Sequence, residues 1–561
     1  MARFATASFV LACALASACA SGSVGSTGAS SGDSGRPIVM SRDERRVIGE
    51  FNDVRGIAIS RRSVFAVTSG GIAIYDRVFN TWERPFTGQA IMGGERITAM
   101  AADPVEDAVW FGTSGTLYVY RPQNDQLQRT IMLAAPDAIA FETGNANEAF
   151  VRANGEWSRV SRTGGVTPIG PRLPATVKFA APSTLNDVYR KFPALRNQQL
   201  FLMREQLANR PLPQFTVTSG ALSPDRASEA WLGTSTEGLW RVDPTFQQAT
   251  ALRFGLMERG VGSVAIAANG VWTGPLGAQR TRSGLTTATN DLQQWRWIEG
   301  TLSVPLIGVR SFDLSLRGSR AWMGTDHGLI LTQLDGQSEM VAWSALDGLP
   351  SDVVYAVAAQ ENGAWAGTAA GLAYVSDSGA PNAAPRNTRT RGISRKLLQG
   401  NAVYALQPVG DTLWIGSNDG LYALNTTTGN LQRIENGDAA MRGPIRALAW
   451  SDSLLIIATD NEILRLSPRG NAAPTRVIAL DPRPVGRVSA MAMDDRMIFL
   501  AGSEGLLAMP RPDHLGPSRM LSSSFDLPGA ALDVAISRDW VWVATPNGLV
   551  RLSRNSDGGL P

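Results

Sequence analysis

One short unit of sequence recurs along most of this chain and limits what the chain can fold into. In six of the units, Gly stands six positions after a large apolar residue and is followed at once by Ile or Leu. Eleven units follow one another at intervals of 40–50 residues, apart from one gap of 81. Self-similarity at this period predicts a repeat architecture in which each unit packs against its neighbours. The large residues that define the units are Phe65, Trp110, Phe150, Trp231, Trp272, Trp322, Trp365, Trp414, Ile456, Phe499 and Trp542.

Each unit divides into four short strands. Alternating apolar runs such as "VVYAVAA" and "AVYALQ" precede the large residue, and the period of two predicts strands. A four-stranded unit of about 43 residues is typical of a propeller blade. The sequence therefore predicts an all-β fold, a β-propeller of about eleven four-stranded blades. We assign blade packing to Trp110, Trp231, Trp322, Trp365, Trp414 and Trp542, and turns with positive φ to Gly328, Gly371, Gly420 and Gly548.

Two families have repeats that resemble these units. The segment "WSALDGLPSDVVYAVAAQENGAWAGTAAGLAYVS" (343–376) resembles the two-component-regulator propeller repeat. In sensors that carry such repeats, the propeller is a periplasmic sensing domain whose signal passes through a membrane span to a histidine kinase. The resemblance implies such a sensing domain. This chain shows neither segment, so we do not carry over the kinase role. The segment "GSNDGLYALNTTTGNLQR" also resembles the repeat of quinoprotein-like propellers, which include the propeller lipoprotein of the outer-membrane protein assembly machine.

Eleven blades exceed the four to eight that are usual in one propeller. We therefore predict two rings, with blades 1–5 in residues 37–300 and blades 6–11 in residues 301–561; one large ring is the alternative. Residues 183–210 fill the long gap with a helical pattern, capped by Ser183 or Thr184 and broken at Pro193. We expect a helical patch that covers the ring, with a lid or docking arm as the alternative.

The first residues have the layout of a secretory signal. Residues 1–18 are predicted to be the signal peptide, and Leu15 to Cys19 resembles a lipobox, in which the cysteine is acylated. Cys19 is the predicted lipid attachment site. Cys13 and an ordinary signal peptide are the alternatives. Residues 19–36 are rich in Gly and Ser and predict a flexible tether. Ala at position 20 implies, by resemblance to bacterial lipoproteins, a place in the outer membrane of the cell envelope.

The composition points away from nucleic acid and gives little support for catalysis. The chain carries 52 basic and 49 acidic residues, a balance too even to argue for binding to nucleic acid or to an anionic membrane surface. Its two histidines, His327 and His514, lie in turn-like segments, and no Gly-Lys dipeptide exists for a phosphate loop. The acidic pairs Asp494–Asp495 and Asp460 with Glu462 lack the spacing of a Ca²⁺ loop. We therefore expect no cofactor, no metal and no catalytic residue.

Three functional classes remain. The leading hypothesis is an interaction module that binds an envelope protein or a glycan and reaches the membrane through an N-terminal lipid. An outer-membrane assembly scaffold and a glycan-active enzyme are the alternatives. We expect a basic segment to be a solvated loop between blades, with docking of a polyanion as the alternative. Its basic residues are Arg386, Arg389, Arg391, Arg395 and Lys396.

Overall fold

A computed structural model describes most of the chain after residue 43. The signal peptide, Cys19 and the tether lie outside the described residues, as do Arg386, Arg389, Arg391 and the second half of the helical segment. No helix in the part of the chain that is described is long and apolar enough to cross a membrane. The described residues are 44–87, 96–132, 134–143, 148–161, 163–175, 178–180, 182–196, 215–245, 248–268, 270–278, 282–333, 340–377, 392–435, 443–467, 475–477 and 481–561.

These residues form eleven antiparallel sheets, one for each repeat, so the predicted all-β propeller fold is confirmed. In every blade the first strand pairs with the second and the second with the third. The first strands of blades 1 to 11 are Val54–Ile59, Ala99–Ala102, Pro136–Glu142, Val217–Leu222, Val261–Ala267, Ser311–Arg317, Val354–Gln360, Val403–Val409, Ala447–Ser451, Val488–Met493 and Asp533–Ile536. The second strands are Ser63–Thr68, Val109–Gly112, Glu148–Ala153, Ala230–Thr234, Gly270–Pro275, Arg320–Thr325, Gly363–Thr368, Thr412–Ser417, Leu454–Ala458, Met497–Gly502 and Trp540–Thr545.

The third strand of each blade pairs with a fourth strand. The third strands are Gly71–Asp76, Thr116–Arg121, Glu156–Ser161, Leu239–Asp243, Gly284–Thr289, Gly328–Gln333, Gly371–Ser376, Gly420–Asn425, Ile463–Leu466, Gly505–Pro510 and Gly548–Ser553. The fourth strands of blades 1 to 10 are Thr81–Trp82, Gln126–Ile131, Val166–Gly170, Gln248–Leu252, Trp295–Glu299, Val341–Trp343, Ile393–Leu397, Leu431–Arg433, Thr475–Arg476 and Arg519–Ser522. Blade 3 has a fifth strand, Phe179–Ala180, paired with its first.

In nine of the eleven blades, the recurring large residue shares a core cluster with a neighbouring blade. Trp322, which is fully buried, shares one core cluster with Val354 and Ala366 of blade 7. Trp365 of blade 7 packs in the same way with Leu413 of blade 8. The second strand alternates, so its other residues face the preceding blade. The repeat in sequence therefore follows from the repeated interface between sheets. The six predicted tryptophans are all buried, from Trp322 and Trp542 at 0% exposure to Trp414 at 6%.

The recurring Gly has two physical reasons, which Gly328 shows clearly. Its φ of 113° lies in the left-handed region that side chains with a Cβ disfavour. A Cβ at this position would also lie 2.1 Å from the carbonyl oxygen of Trp343 in the fourth strand. Gly371, Gly420 and Gly548 likewise have positive φ, at 145°, 115° and 140°.

Blades 5 to 11 form a closed ring of seven. Their first strands contact one another in sequence order, and the first strand of blade 11 contacts that of blade 5. A shared core joins these two end blades, in which Trp542 and Ala544 of blade 11 meet Val261 and Val271 of blade 5. The seven first strands therefore surround the axis of the ring.

The fourth strand of blade 11 comes from the other end of the described chain. Residues Arg45–Ile48, which we call the closing strand, pair antiparallel with the third strand of blade 11. Ile48 lies opposite Leu549, and both belong to the core between blades 11 and 5. The closing strand thus covers an edge that would otherwise present unpaired backbone N–H and C=O groups.

Blades 1 to 4 form a separate group inserted between the closing strand and blade 5. Blade 1 packs against blade 2, and blade 2 against blade 3. Blade 4 packs on the remaining side of blade 1, where Trp231 joins the core that contains Val64 and Ala66. The segment that leads into this group and the segment that leads out of it are neighbours. The Leu256 N–H donates to the Gly49 carbonyl oxygen over 3.0 Å.

The connection from blade 3 to blade 4 is helical at its start, as the sequence predicts. The helix Leu185–Lys191 has a Thr184 cap, whose hydroxyl accepts from the Asp187 N–H while the Asp187 carboxylate accepts from the Thr184 N–H. Val188 of this helix packs in one core with Trp240 of blade 4. A 3-10 helix, Pro193–Arg196, follows the break at Pro193. Three further 3-10 turns are Pro122–Asn124, Ala345–Asp347 and Arg483–Val485.

The order of contacts differs from the predicted division at residue 300. We assigned blade 5, whose strands span 261–299, to the first ring, but its first strand lies between those of blades 6 and 11. The blades therefore divide into a group of four and a group of seven, and residues 45–48 belong to the larger group. One ring of eleven is contradicted because blade 1 packs against blade 4. The physical reason is the closing strand, which brings blade 11 to blade 5.

We expect replacement of a blade tryptophan to lower stability strongly. Trp365→Ala removes a buried ring from the interface between blades 7 and 8 and should lower the free energy of unfolding by about 3–5 kcal/mol. The measurement is thermal and denaturant unfolding, with Asn418→Ala in an exposed turn as the control. A Trp365→Ala variant that melts like the parent would contradict the assigned blade interface.

Candidate functional site

Three aromatic residues form a row across consecutive blades of the seven-bladed ring. Phe312, Tyr355 and Tyr404 occupy the same position in the first strands of blades 6, 7 and 8. The ring centroids of Phe312 and Tyr355 are 5.4 Å apart, and those of Tyr355 and Tyr404 are 5.5 Å apart. All three side chains are half-buried. We call this set the aromatic row.

Backbone bulges explain why these rings leave the sheets. In each of the three blades the pairing of first and second strands skips one residue, between Ser311 and Asp313 in blade 6 and at equivalent places in blades 7 and 8. The skipped residues are Phe312, Tyr355 and Tyr404. A bulge redirects the side chain of its extra residue, so the rings turn towards one another. Each neighbouring ring pair contributes about 0.5–1.5 kcal/mol.

An arginine stands at each end of the aromatic row. The Arg310 guanidinium lies 5.0 Å from the centroid of Phe312, and that of Arg446 lies 4.8 Å from the centroid of Tyr404. The Arg446 Nε donates to the Asp460 carboxylate over 3.0 Å, whereas Arg310 has no ion pair within the described residues and is exposed. The row thus combines aromatic faces with an exposed guanidinium at one end and an ion-paired guanidinium at the other.

The aromatic row also offers hydrogen-bonding groups. The hydroxyls of Tyr355 and Tyr404 have no hydrogen-bond partner among the residues that the structure describes. The turns between second and third strands lie beside this end of the first strands, since the Ala369 N–H donates to the Val353 carbonyl over 2.9 Å. A ligand on this face would therefore meet rings, phenol hydroxyls and guanidinium groups together.

Two aspartates occupy one equivalent position in the first strands of blades 6 and 11. Asp313 and Asp533 stand nine residues before the blade tryptophan, where the other blades of the ring have Ser or Ala. The Asp313 carboxylate accepts from the Val357 N–H of blade 7 over 2.6 Å. That of Asp533 accepts from the Val264 N–H of blade 5 over 2.8 Å. Each carboxylate thus links its blade to the next one.

The setting of these aspartates favours the protonated form. Burial raises the pKa of Asp313 to about 6, against the opposing effect of two backbone N–H bonds. Burial, and then the charge of Asp313, raises the pKa of Asp533 to about 8. At pH 7 Asp533 is therefore mostly neutral whereas Asp313 is mostly ionised, so the pair brings about one negative charge to the centre of the ring.

The histidines and acidic pairs found in the sequence contact other groups of the protein, and two of them adjoin the aromatic row. Asp460 pairs with Arg446, and Asp326, which contacts His327, accepts from the Arg310 N–H over 2.8 Å. The ring of His514 in blade 10 contacts the Asp495 carbonyl oxygen over 3.0 Å. Exposed His327 lies 2.8 Å from Asp326 in a turn of blade 6. The Asp494 carboxylate pairs with Arg554. Within the described residues, no three His, Cys, Asp or Glu side chains converge as metal ligands.

Sequence reasoning missed the aromatic row, although a signal for it exists. Phe312, Tyr355 and Tyr404 each stand ten residues before the tryptophan of their blade. The alternating apolar pattern of these runs predicts strands, but it does not show where a strand contains a bulge. Alignment of the units on their first strands would have placed the three rings in one column.

No protein-family model and no curated protein sequence matches the chain. Among solved structures, the extracellular domain of a putative hybrid two-component system from B. thetaiotaomicron matches with 14% identity and a TM-score of 0.41. That match covers 89% of this chain and 64% of the other. PorZ, a surface component of the type-IX secretion system of Porphyromonas gingivalis, matches with 11% identity over 91% of this chain and 87% of PorZ, with a TM-score of 0.49. The propeller assignment rests on the sheets described above, and the resemblance to two-component-regulator repeats stays a prediction.

We expect Asp533→Asn to change the pH dependence of stability. Because the folded pKa is raised, the folded chain keeps a proton that the unfolded chain has lost above about pH 4. The parent therefore loses this contribution as pH rises from about 4 through 8, whereas neutral Asn does not. The melting temperature of the variant, relative to the parent, should rise between about pH 5 and pH 8.5.

The control for this experiment is Asp539→Asn, an exposed carboxylate in the same blade. Each unit of pKa shift corresponds to about 1.4 kcal/mol, which bounds the effect. A difference between the Asp533→Asn variant and the parent that stays constant over this pH range would show that Asp533 titrates normally.

Proposed function

We propose that this chain is an envelope-anchored β-propeller lipoprotein that acts as an interaction module and binds its partner on the aromatic row. The observation that carries this proposal is the run of Phe312, Tyr355 and Tyr404 between two arginines. These side chains stand on three rigid sheets, so they are positioned before any partner arrives.

The chemistry of the row favours a protein partner. Tyr and Arg are enriched among the residues that dominate binding energy at protein interfaces, and half-buried rings lose little rotamer freedom on binding. A partner segment with apolar side chains and carboxylates would complement the rings and the exposed guanidinium of Arg310. We propose binding and not catalysis because these groups recognise a surface and supply no nucleophile with its base.

A double substitution tests this binding face. We expect Tyr355→Ser with Tyr404→Ser to abolish crosslinked co-purification of partners from envelope extract, since both rings and hydroxyls are lost. The melting temperature should fall only slightly, because the side chains are half-buried at the start of their strands. Tyr189→Ser, on the helix of the four-bladed group, is the matched control.

The outcome separates partner classes. Partners that are recovered equally with the parent and with the double variant would contradict the proposed face. If the parent instead binds isolated envelope polysaccharide, and the double variant does not, the face is retained and the partner is a glycan, whose sugar rings stack on aromatic faces in a comparable way.

The anchor is tested separately. We propose that Cys19 is acylated and that residues 19–36 present the propeller from the outer membrane. Metabolic labelling with a fatty-acid analogue should mark the protein, and Cys19→Ala should lose the label and leave the envelope pellet. Cys13→Ala is the control, and a label that persists in Cys19→Ala would contradict this assignment.

A further inference from the structure

Two arginines face each other where the seven-bladed ring closes. Arg46 of the closing strand lies directly opposite Arg551 in the third strand of blade 11. Residues paired in this way on one face of an antiparallel sheet have Cβ atoms about 4.5–5.5 Å apart, and like charges there are destabilising. The closure of the ring thus carries a repulsion that a neutral pair would avoid.

The same two side chains contain buried donors without partners. The Nε atoms of Arg46 and Arg551 are both buried and have no hydrogen-bond partner. A buried donor left unpaired has lost its hydrogen bonds to water without replacing them, and the cost is larger when the donor belongs to a charged group. Two unfavourable features therefore coincide at one point of the structure.

The surroundings hold Arg551 in place without neutralising it. Its guanidinium lies 3.9 Å from the centroid of the Trp540 ring, and its Nη1 donates to the Asn290 carbonyl oxygen over 2.9 Å. Asp291 is an acid whose charge acts on Arg551, but its carboxylate accepts from the Thr289 hydroxyl and the Gln293 N–H. Among the described residues no salt bridge joins Asp291 to Arg551.

A third arginine adds positive charge from the four-bladed group. Burial, together with the charges of Arg551 and Arg84, lowers the pKa of Arg46 to about 10. Arg84 follows the fourth strand of blade 1, where the side chain of Gln293 forms two hydrogen bonds with the backbone of Trp82. The cluster therefore lies where blades 1, 5 and 11 meet.

From the opposed Arg46 and Arg551 and their buried unpaired Nε atoms, we propose that this cluster is a binding site for an oxyanion, specifically a phosphate group. Guanidinium groups bind phosphate through paired N–H donors in a fixed fork, and a group with several acceptor oxygens can bridge two arginines. Such a ligand would satisfy the buried donors and remove the repulsion across the strand pair. It would also tie the closing strand to the ring. This site is independent of the aromatic row.

Direct binding of inorganic phosphate tests the proposal. Calorimetry at constant ionic strength, with chloride as the compensating anion, should show binding to the parent, and phosphate should raise its melting temperature. Arg46→Gln should bind roughly tenfold more weakly, because it removes one guanidinium fork and leaves the Trp540 and Asn290 contacts of Arg551 intact. Arg317→Gln, an exposed arginine on blade 6, is the control and should bind like the parent.

A second measurement separates binding from a structural role. In phosphate-free buffer, Arg46→Gln should melt at or above the temperature of the parent, because the like-charge repulsion is gone. Binding is also measured to vesicles of phosphatidylcholine with and without phosphatidic acid. This comparison distinguishes a lipid phosphate from the free ion. Absence of binding to both phosphate sources, or equal binding by Arg46→Gln and the parent, would overturn the proposal.

Discussion

The pairing of the closing strand with the third strand of blade 11 is the interaction on which the larger ring depends. A propeller blade buries both faces of its sheet against neighbours, so an open ring would expose two such faces and a strand edge. Residues Arg45–Ile48 cover that edge and place Ile48 in the core between blades 11 and 5. Because the strand precedes the four-bladed group, closure also fixes where that group is inserted.

Rigid closure positions the groups that carry recognition. The aromatic row spans blades 6 to 8, and its rings keep their spacing only if neighbouring sheets keep theirs. The buried tryptophans Trp322 and Trp365 lie in the two interfaces beneath it. Packing and binding are thus divided between two columns of aromatic residues, one inside the blade interfaces and one on bulges at the start of the first strands.

Polar groups play three different parts in the ring. Asp313 and Asp533 link first strands through backbone N–H groups, and burial raises the pKa of both carboxyls, to about 6 and about 8. Arg446 is held by Asp460 at the end of the aromatic row. Arg46 and Arg551 instead face each other with unpaired buried atoms. The first two sets are satisfied within the protein, whereas the third is complete only with an external anion.

The sequence by itself determined the blade: the strand alternation, the packing tryptophan and the glycine of the third strand all follow from local geometry. The spacing of Tyr355 from the tryptophan of its blade is a signal for the aromatic row, but strand alternation alone did not predict the row. Only the tertiary structure decided the division into four and seven blades and the meeting of Arg46 with Arg551. Every blade presents the same hydrophobic pattern, so the pattern cannot specify which blades are neighbours. That choice depends on strand pairing between residues about 500 positions apart, which no local signal encodes.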